Sequence, residues 1–492
     1  MSTKEDEKTT NGPEKVQKGN PVLLKRYYRF IAYLVMVFME MLMNISSGVL
    51  SQASQTIKKQ YKMKDIEFGY FGFAQGIGRT IGSIFYTVLV NQISAKWMGG
   101  FFTVLKGGVM ASFELTSNKW ALVYLRGLVG FVHMPPSTYI PIWIDQYGFR
   151  KYKTVQMSFL QALVPFGKVL GFILVDLFGE ENWKRAYDLE GVFLVLSGLF
   201  VLFSPNDYFN RKVVLMIDEE RPTEYQAEKW KETSIFNRRE STKGVTRTQK
   251  LWNDLKSVIC SFEFEICNCA KALQNGSQSC IHFWCADFMT NRLGITNIQK
   301  RTGIYTAMNI SGPLFGFLIS PIINRFFGSY ETRHAPIVIV FLHLITISFG
   351  LCATLINNVY SFIACMTLFF GLLSLSLAMT NGCLMISVNR DLKGMCYSVG
   401  NITCMSITGA LCPVIYGKFN DIFNPKGIKY AGMLSIMIIN LSASIFLCIL
   451  ARIRWKKYKG DGKKEELVKN SEEGQELEDK QDEEKNDGLE KK

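Results

Sequence analysis

The chain has 492 residues, of which 48% are hydrophobic and 20% are charged, and its formal net charge is +14. The apolar residues form runs of about twenty, whereas the charges collect at both ends and in one central block, which is typical of a polytopic membrane protein. This distribution excludes a nucleic-acid-binding interpretation of the positive charge, since no Lys/Arg cluster falls on a folded polar module. We therefore expect an all-α membrane protein whose basic residues indicate its orientation.

Twelve apolar segments are predicted to cross the membrane, because a bilayer core of about 30 Å requires about twenty helical residues. The first six are residues 30–54, 67–90, 98–117, 121–146, 155–178 and 187–206. The second six are residues 270–291, 302–325, 335–356, 359–388, 394–418 and 429–453. An even number of spans places both termini on the same side of the membrane.

The polar segments of the chain predict its domains and its orientation. We expect six-helix bundles at 30–206 and 270–453, a disordered N-terminus at 1–29 and a disordered charged tail at 454–492. Residues 207–269 are predicted to form a central loop with an amphipathic helix before the seventh span. The N-terminus and this loop are rich in Lys and Arg, so the positive-inside rule places both termini and the loop in the cytoplasm. The sequence leaves open whether the protein lies in an endolysosomal membrane or in the plasma membrane.

The two halves carry a short polar turn at matching places. Asn91 follows the second span and Asn324 follows the eighth. Six spans, a long middle loop and six more spans resemble the layout of the major facilitator superfamily, whose corresponding turns carry a Gly-x-x-x-Asp-Arg-x-Gly-Arg-Arg pattern. The two Asn residues stand where that pattern has Asp. The resemblance implies two pseudo-symmetric six-helix bundles, twelve transmembrane helices in all, that move a substrate by alternating access.

The fourth and fifth spans resemble the spinster branch of that superfamily. The matching positions are Arg126, Gly130, Pro141, Asp145, Arg150, Pro165, Gly167 and Gly171. The seventh span adds Phe283-Trp284-Cys285-Ala286, and the eleventh adds Pro413-x-x-x-Gly417-x-x-x-Asp421. Spinster relatives are proton-coupled carriers of lysolipids and sphingosine phosphate, so the resemblance implies a lysophospholipid or a sphingoid phosphate as the cargo.

Four helices of the first half each carry one narrow polar face. Helical spacing aligns four sets of residues: Glu40, Asn44, Ser47 and Ser51; Gln75, Arg79 and Ser83; Arg126 and His133; Gln161 and Lys168. Ionisable groups at membrane depth cost about 3 kcal/mol and persist beside a wet cavity or a partner. The pattern predicts a central aqueous cavity. The alternative is that the groups only bond to one another between helices, as Glu40 would by pairing with Arg79 or Arg126.

The sign of these charges predicts an anionic substrate. Three basic residues against one carboxylate leave the predicted cavity positive, and Arg can grip phosphate with two parallel hydrogen bonds. The predicted substrate-binding residues are Arg126, Arg79, Glu40, Lys168, Trp284 and His282.

Proton coupling is predicted to use His133, because spinster relatives usually carry a Glu seven residues after the Arg of the fourth helix and this chain has His there. Glu40 is the carboxylate nearest to the Asp-Arg pair that is missing from the first helix, and it is the second candidate.

Four residues are predicted to act in gating. Asp145 and Arg150, with Lys151, end the fourth span, and Asp421 follows the eleventh, so they are interpreted as one latch between the halves. Asp287 of the seventh span is the fourth candidate, in a helix polar enough to be a broken, gating helix; a position at the membrane interface is the alternative.

Enzyme chemistry is not expected, since the sequence has no nucleotide-binding Gly-rich loop and no His-Glu-x-x-His motif. We predict no cofactor and no metal, a monomer, and the lipid bilayer and a small molecule or lysolipid as partners. Two alternatives stay open for the function. One is a transporter of a small organic anion, such as a carboxylate or a sugar phosphate, and the other is a transporter-like receptor or scaffold without turnover.

Overall fold

The computed structural model describes residues 26–89, 95–147, 153–205, 247–327, 334–388 and 393–456, and its regular secondary structure there is entirely helical. The predictions of disorder for residues 1–25 and 457–492, the turn at Asn91, and Arg150 and Lys151 lie outside the described residues. So does most of the central loop, 206–246. The predicted disorder is wrong for residues 26–29 and 454–456, which are helical. The predicted turn at Asn324 is wrong as well, because the helix Ile298–Phe327 continues through it.

Each of the twelve predicted spans overlaps one long helix of the described chain. The first six helices are α1 in three pieces (Arg26–Met43, Ile45–Gln52, Ser54–Gln60), α2 (Asp65–Leu89), α3 (Ala95–Ala111), α4 (Lys119–Tyr147), α5 (Lys153–Phe178) and α6 (Trp183–Phe203). The second six are α7 (Phe262–Asn291), α8 (Ile298–Phe327), α9 (Ala335–Leu355), α10 (Val359–Ile386), α11 (Lys393–Thr403, a π-helical turn Cys404–Gly409, Ala410–Phe423) and α12 (Ala431–Lys456).

The predicted amphipathic segment before the seventh span is divided between two helices. A short helix, Arg247–Ile259, ends before Ser261, and α7 begins at Phe262. The Ser261 side chain caps α7 by accepting a hydrogen bond from the Phe264 amide at 3.4 Å, because the first amides of a helix lack backbone partners.

Six of the described helices are long and apolar enough to cross a membrane on their own composition. They are Tyr27–Gln52, Glu180–Phe203, Ala335–Leu355, Val359–Leu384, Val399–Lys426 and Ala431–Lys456. The other six carry ionisable residues within their length, for example Arg79 in α2, Arg126 in α4 and Lys168 in α5. Such helices cross a bilayer when their charged face is turned toward other helices.

Small residues hold the helices of each half close together. A methyl group on Gly78 of α2 would overlap the Gly127 carbonyl of α4, and one on Gly316 of α8 would overlap the Gly371 carbonyl of α10. These two helix pairs occupy equivalent places in the two halves, as pseudo-symmetry requires. Close backbone approach through small residues is the usual way in which membrane helices associate.

The two halves meet along two equivalent seams and one central contact. At one seam α2 packs on α11, where Gly76 lies against the backbone of Ala410. At the other seam α5 packs on α8, where the rings of Phe172 and Tyr305 stack with centroids 3.7 Å apart. Between the seams α1 contacts α7.

The two ends of the helical bundle are named here by the course of α1. The near face is the end at which α1 begins, and the far face is the end at which α1 finishes. Because consecutive membrane helices alternate in direction, α4 ends at the near face, whereas α1, α7 and α11 end at the far face.

Candidate functional site

Five side chains from α1, α2, α4 and α5 form a central polar cluster: Glu40, Arg79, Arg126, His133 and Lys168. Their charges act on one another through the interior of the first half. Four of the predicted binding residues and both predicted proton-coupling residues are thus brought together. Their roles stay predictions.

The spinster-like motif of α5 brings this helix against α1. Gly167 lies against the Met41 carbonyl and Gly171 against the Ile45 carbonyl, and Gly48 of α1 lies against the backbone of Lys168. A side chain at any of these glycines would meet backbone atoms, so the motif packs the helices and thereby places Lys168 beside α1.

Arg126 of α4 is completely buried, and only one of its nitrogens is bonded. Its Nη2 donates to Ser47 Oγ of α1 at 3.2 Å and to Gln75 Oε1 of α2 at 3.0 Å. Its Nε and Nη1 have no hydrogen-bond partner in the part of the chain that the structure describes. Buried donors without a partner are rare and costly, so these two nitrogens are available to a bound anion or to water.

Arg79 of α2 is partly exposed and reaches across to the second half. Its Nη1 lies 3.9 Å from Met405 Sδ, a weak acceptor in the π-helical turn of α11. Its Nε lacks a partner among the described residues. The Arg79 guanidinium therefore joins the two halves only weakly and keeps most of its hydrogen-bonding capacity for another group.

Glu40 does not pair with either arginine. Its Oε1 accepts from Ser137 Oγ at 3.0 Å and from Asn44 Nδ2 at 3.4 Å, and its Oε2 has no partner in the described chain. The alternative in which Glu40 pairs with Arg79 or Arg126 as a structural bond is therefore wrong. The carboxylate is held by neutral groups, which leaves the arginine charges uncompensated by direct contact.

His133 and Lys168 complete the cluster. His133 is buried beside the main chain of Met43, and its Nδ1 has no partner among the residues that the structure covers. The ammonium of Lys168 makes no hydrogen bond or ion pair to any described residue; its charge acts on Arg79 and on His282. Lys168 is thus the member of the cluster that acts on His282 of the second half.

Two buried ionisable residues next to the cluster were not predicted to pair with each other. The Nζ of Lys106 of α3 lies 3.2 Å from Glu190 Oε1 of α6, with both side chains wholly buried. This pair is internally neutral. The excess positive charge therefore belongs to Arg79, Arg126 and Lys168.

Trp284 of α7, a predicted substrate-binding residue, is enclosed by neighbouring side chains, and its role in binding stays a prediction. The ring is completely buried, stacks on Tyr416 with centroids 4.6 Å apart and contacts Phe68 of α2 at 5.3 Å. Its Nε1 donates to the Pro413 carbonyl of α11 at 3.2 Å. Both faces and the polar edge are occupied, so Trp284 is part of the packing between α2, α7 and α11.

His282 lies at the contact between α7, α8 and α10. Its ring is parallel to Phe370 with centroids 4.7 Å apart, and its Nδ1 is 3.3 Å from the Tyr305 hydroxyl. Only 5% of the residue is exposed. Because Lys168 acts on it electrostatically, His282 lies at the edge of the cluster, and its role in binding stays a prediction.

A polar layer joins the halves at the far face. Lys58, beyond the first predicted span, forms an ion pair with the buried Asp287 of α7 and bonds to Asp65 at 2.6 Å. Gln55 Nε2 also donates to Asp287 at 2.7 Å. Burial lowers the pKa of Lys58, but the attraction of Asp287 and Asp65 outweighs it and the net pKa is raised, so this amine stays charged.

The same layer continues at both seams. Asp421 of α11 accepts hydrogen bonds from the backbone amides of Asp65 at 3.1 Å and Ile66 at 2.9 Å, and so caps the first turn of α2. At the other seam Arg301 of α8 forms an ion pair with Glu180. The far face is therefore closed by contacts that cross between the halves.

One latch joining Asp145 and Asp421 is ruled out. Asp145 lies near the end of α4 at the near face, whereas Asp421 lies near the end of α11 at the far face. Helix direction separates them by the thickness of the bundle. The gating roles of Asp287 and Asp421 at the far face, and of Asp145 at the near face, stay predictions.

Sequence reasoning missed Lys58, Arg301 and Glu180 at the far face because they lie in or near connections that look like ordinary polar loops. The only signal was the unusually basic first connection, which includes Lys58. Within the described residues, no group of three or more His, Cys, Asp or Glu could hold a metal ion.

Residues 30–413 match the model of the Major Facilitator Superfamily. No curated protein matches the sequence. Among solved structures, a bacterial homologue of the human lysosomal transporter spinster, inward-facing and unoccupied, superposes with a TM-score of 0.67 at 13% identity, over 88% of this chain and 99% of that chain.

Two transporters of other cargoes have similar folds. The nucleoside transporter NupG superposes with a TM-score of 0.58 at 14% identity, over 87% of this chain and 99% of that chain. The D-xylose–proton symporter has a TM-score of 0.61 at 12% identity, over 85% of this chain and 97% of that chain. At these identities the likeness concerns the fold alone, which is that of a multi-pass integral membrane protein with two six-helix bundles.

Proposed function

The chain belongs to the Major Facilitator Superfamily, and on this premise we propose that it is a secondary active transporter of an organic anion, not an enzyme. The observation that carries the proposal is the set of buried, unpaired donors in the central polar cluster. Arg126 keeps two nitrogens and Arg79 one without a partner in the described chain, and the Lys168 ammonium makes no bond there. Donors of this kind are stabilised by an anion that binds among them.

The charge of the cluster indicates the charge of the substrate. Three basic groups (Arg79, Arg126, Lys168) less one carboxylate (Glu40) leave two positive charges, because Lys106 and Glu190 neutralise each other. A headgroup with two negative charges, such as a phosphomonoester, balances this sum. A single carboxylate or a phosphodiester leaves one positive charge buried, which is unfavourable at membrane depth.

The first candidate cargo is an amphiphilic anion, a sphingoid phosphate or a lysophospholipid, and the charge balance favours those members of the class whose phosphate is a monoester. The spinster-like residues of α4 and α5 and the similar fold of the bacterial spinster homologue support it. The second candidate is a small organic anion such as a sugar phosphate or a carboxylate. The similar folds of a nucleoside transporter and a xylose–proton symporter, whose cargoes are small polar molecules, support the small size of this alternative cargo.

Transport is proposed to use alternating access, with the observed far-face contacts closing one side. Lys58–Asp287, Arg301–Glu180 and the Asp421 cap would separate when the far face opens. With both termini in the cytoplasm, the near face is cytoplasmic and the closed far face is lumenal or extracellular. His133 and Glu40 are the proposed proton-binding groups, since each keeps one buried atom without a partner in the described chain.

Uptake into liposomes tests the proposal. Purified protein is offered labelled sphingoid phosphate, lysophospholipid, sugar phosphate and a carboxylate, with and without a pH gradient. Flux of a phosphomonoester that is lost in Arg126→Gln supports the proposal, and short-chain analogues that compete as well as long ones favour the small anion. Binding without flux for every compound would support the receptor alternative, and flux unchanged in Arg126→Gln would refute the assignment of the site.

A further inference from the structure

The first helix is interrupted beside the central polar cluster, and the interruption frees a carbonyl group. The piece Arg26–Met43 ends before Asn44 and the next piece begins at Ile45. The Ser47 amide bonds to the Asn44 carbonyl at 3.2 Å, instead of to the Met43 carbonyl as an uninterrupted α-helix requires. The Met43 carbonyl is thereby left without its helical donor.

Lys106 supplies that donor from another helix. Its Nζ lies 2.6 Å from the Met43 carbonyl and 3.2 Å from Glu190 Oε1, and the Lys106 side chain is completely buried. On α6, the Tyr187 hydroxyl donates to the Ser46 carbonyl at 3.2 Å. Two hydrogen bonds, one from α3 and one from α6, therefore hold the interrupted stretch of α1.

The same stretch also carries side chains that bond to the central polar cluster. Ser47 Oγ accepts from Arg126 at 3.2 Å, and Asn44 donates both to the Glu40 carbonyl at 2.8 Å and to the Glu40 side chain. The position of Met43 in the break therefore sets where Glu40 and Ser47 stand relative to Arg126.

We propose that Lys106 is a positioning residue for the anion site, which it controls by holding the Met43 carbonyl at the break in α1. This inference rests on the proposed function, since the site that it positions is the proposed anion site. A purely structural role is the competing explanation. Buried ion pairs are a poor source of stability, because replacing both partners by apolar residues of similar size is often neutral or stabilising.

The positioning role and the purely structural role predict different results when both charges are removed. The double variant Lys106→Met with Glu190→Met removes both charges at similar volume and takes the short Lys106 bond away from the Met43 carbonyl, which keeps only the neighbouring His133 side chain. We expect it to fold, with a KM for the transported anion raised about tenfold or more and a much smaller change in kcat. Lys106→Arg keeps a donor and is expected to restore most of the affinity. A double variant with the wild-type KM would overturn the proposal.

Two further comparisons keep the test decisive. Should the double variant not fold, Glu190→Gln is compared with Lys106→Met, whose side chain has no hydrogen-bond donor. The first keeps the bond to Met43 and is expected to change KM less than threefold, whereas the second loses it; equal effects would overturn the proposal. The control is Lys119→Met with Glu67→Met, a far-face pair at 2.6 Å, partly exposed and outside the cluster, which is expected to leave KM unchanged.

Hydrogen exchange separates this inference from the proposed function. The α1 amides of residues 44–50 are expected to exchange faster in the Lys106/Glu190 double variant than in the wild type and the control, whatever the substrate is. Faster exchange in a protein that carries no organic anion would refute the proposed function and support the positioning role. Unchanged exchange would refute the positioning role, even in an active transporter.

Discussion

The ion pair between Lys58 and Asp287 is expected to stabilise the state in which the far face is closed. The Asp287 side chain is completely buried, and 10% of the Lys58 side chain is exposed. The pair joins α1 of the first half to α7 of the second, so it exists only while the far face is closed. Asp287→Asn removes the charge with almost no change of shape.

The free energy that the closed state loses in Asp287→Asn depends on the contacts that the variant keeps. Removing one partner of a buried ion pair costs about 3–5 kcal/mol. Lys58 keeps Asp65 at 2.6 Å, and the new amide still accepts from Gln55, so we expect the closed state to lose about 2 kcal/mol. This is about a 30-fold change in equilibrium. A far-open population of about 1% would rise to about a quarter.

The assay is a distance measurement between the halves. Spin labels at Ser117 in the α3–α4 connection and Thr296 in the α7–α8 connection, both exposed at the far face, report its opening in a cysteine-free background. Glu67→Gln is the matched control, because Glu67 pairs with Lys119 at the same face but within the first half. The control is expected to leave the distance distribution unchanged.

Two results would refute this reasoning. An Asp287→Asn distribution identical to that of the wild type would mean that the ion pair does not hold the halves together. An equal opening in Glu67→Gln would mean that loss of any far-face charge has this effect, regardless of which helices it joins.

Three other predictions concern the cluster and the packing. Arg126→Lys keeps the charge but lacks the two further nitrogens, Nε and Nη1, that are left for an anion, so we expect the KM for the anion to rise about tenfold or more in liposome uptake. If His133 is the protonation switch, His133→Ala removes the pH dependence of uptake; an intact pH profile would assign the switch elsewhere. Gly76→Val places a side chain 2.8 Å from the Ala410 backbone and is expected to cost about 1–3 kcal/mol in thermal unfolding. Gly108→Ala, with no atom within 4 Å, is the matched control and is expected to be neutral or slightly stabilising; equal losses would contradict the packing argument.

The membrane fold and the membership of the cluster could be predicted from the chain alone. The length of a membrane helix is set by the bilayer, so apolar runs mark the twelve helices without any knowledge of their neighbours. Glu40, Arg79, Arg126, His133 and Lys168 were found by helical spacing, because residues three, four or seven apart share one face of an isolated helix.

The surroundings of Trp284 could not be predicted from its motif, because a short pattern reveals neither the rotation of α7 nor its neighbours. Its indole is enclosed by Phe68, Tyr416 and Pro413, which come from two other helices. The direction of each helix, which was available from the order of the spans, already separates Asp145 from Asp421.

The properties that could be predicted from the chain belong to one helix at a time: where each helix crosses, which of its faces is polar and which charge that face carries. The tertiary structure alone decided the partners: Lys106 with Glu190 and Met43, and Lys58 with Asp287. Residues far apart in the chain meet only through the rotation and close approach of their helices. Those are set by contacts such as Gly48 against Lys168, in which a single missing side chain decides how near two backbones can come.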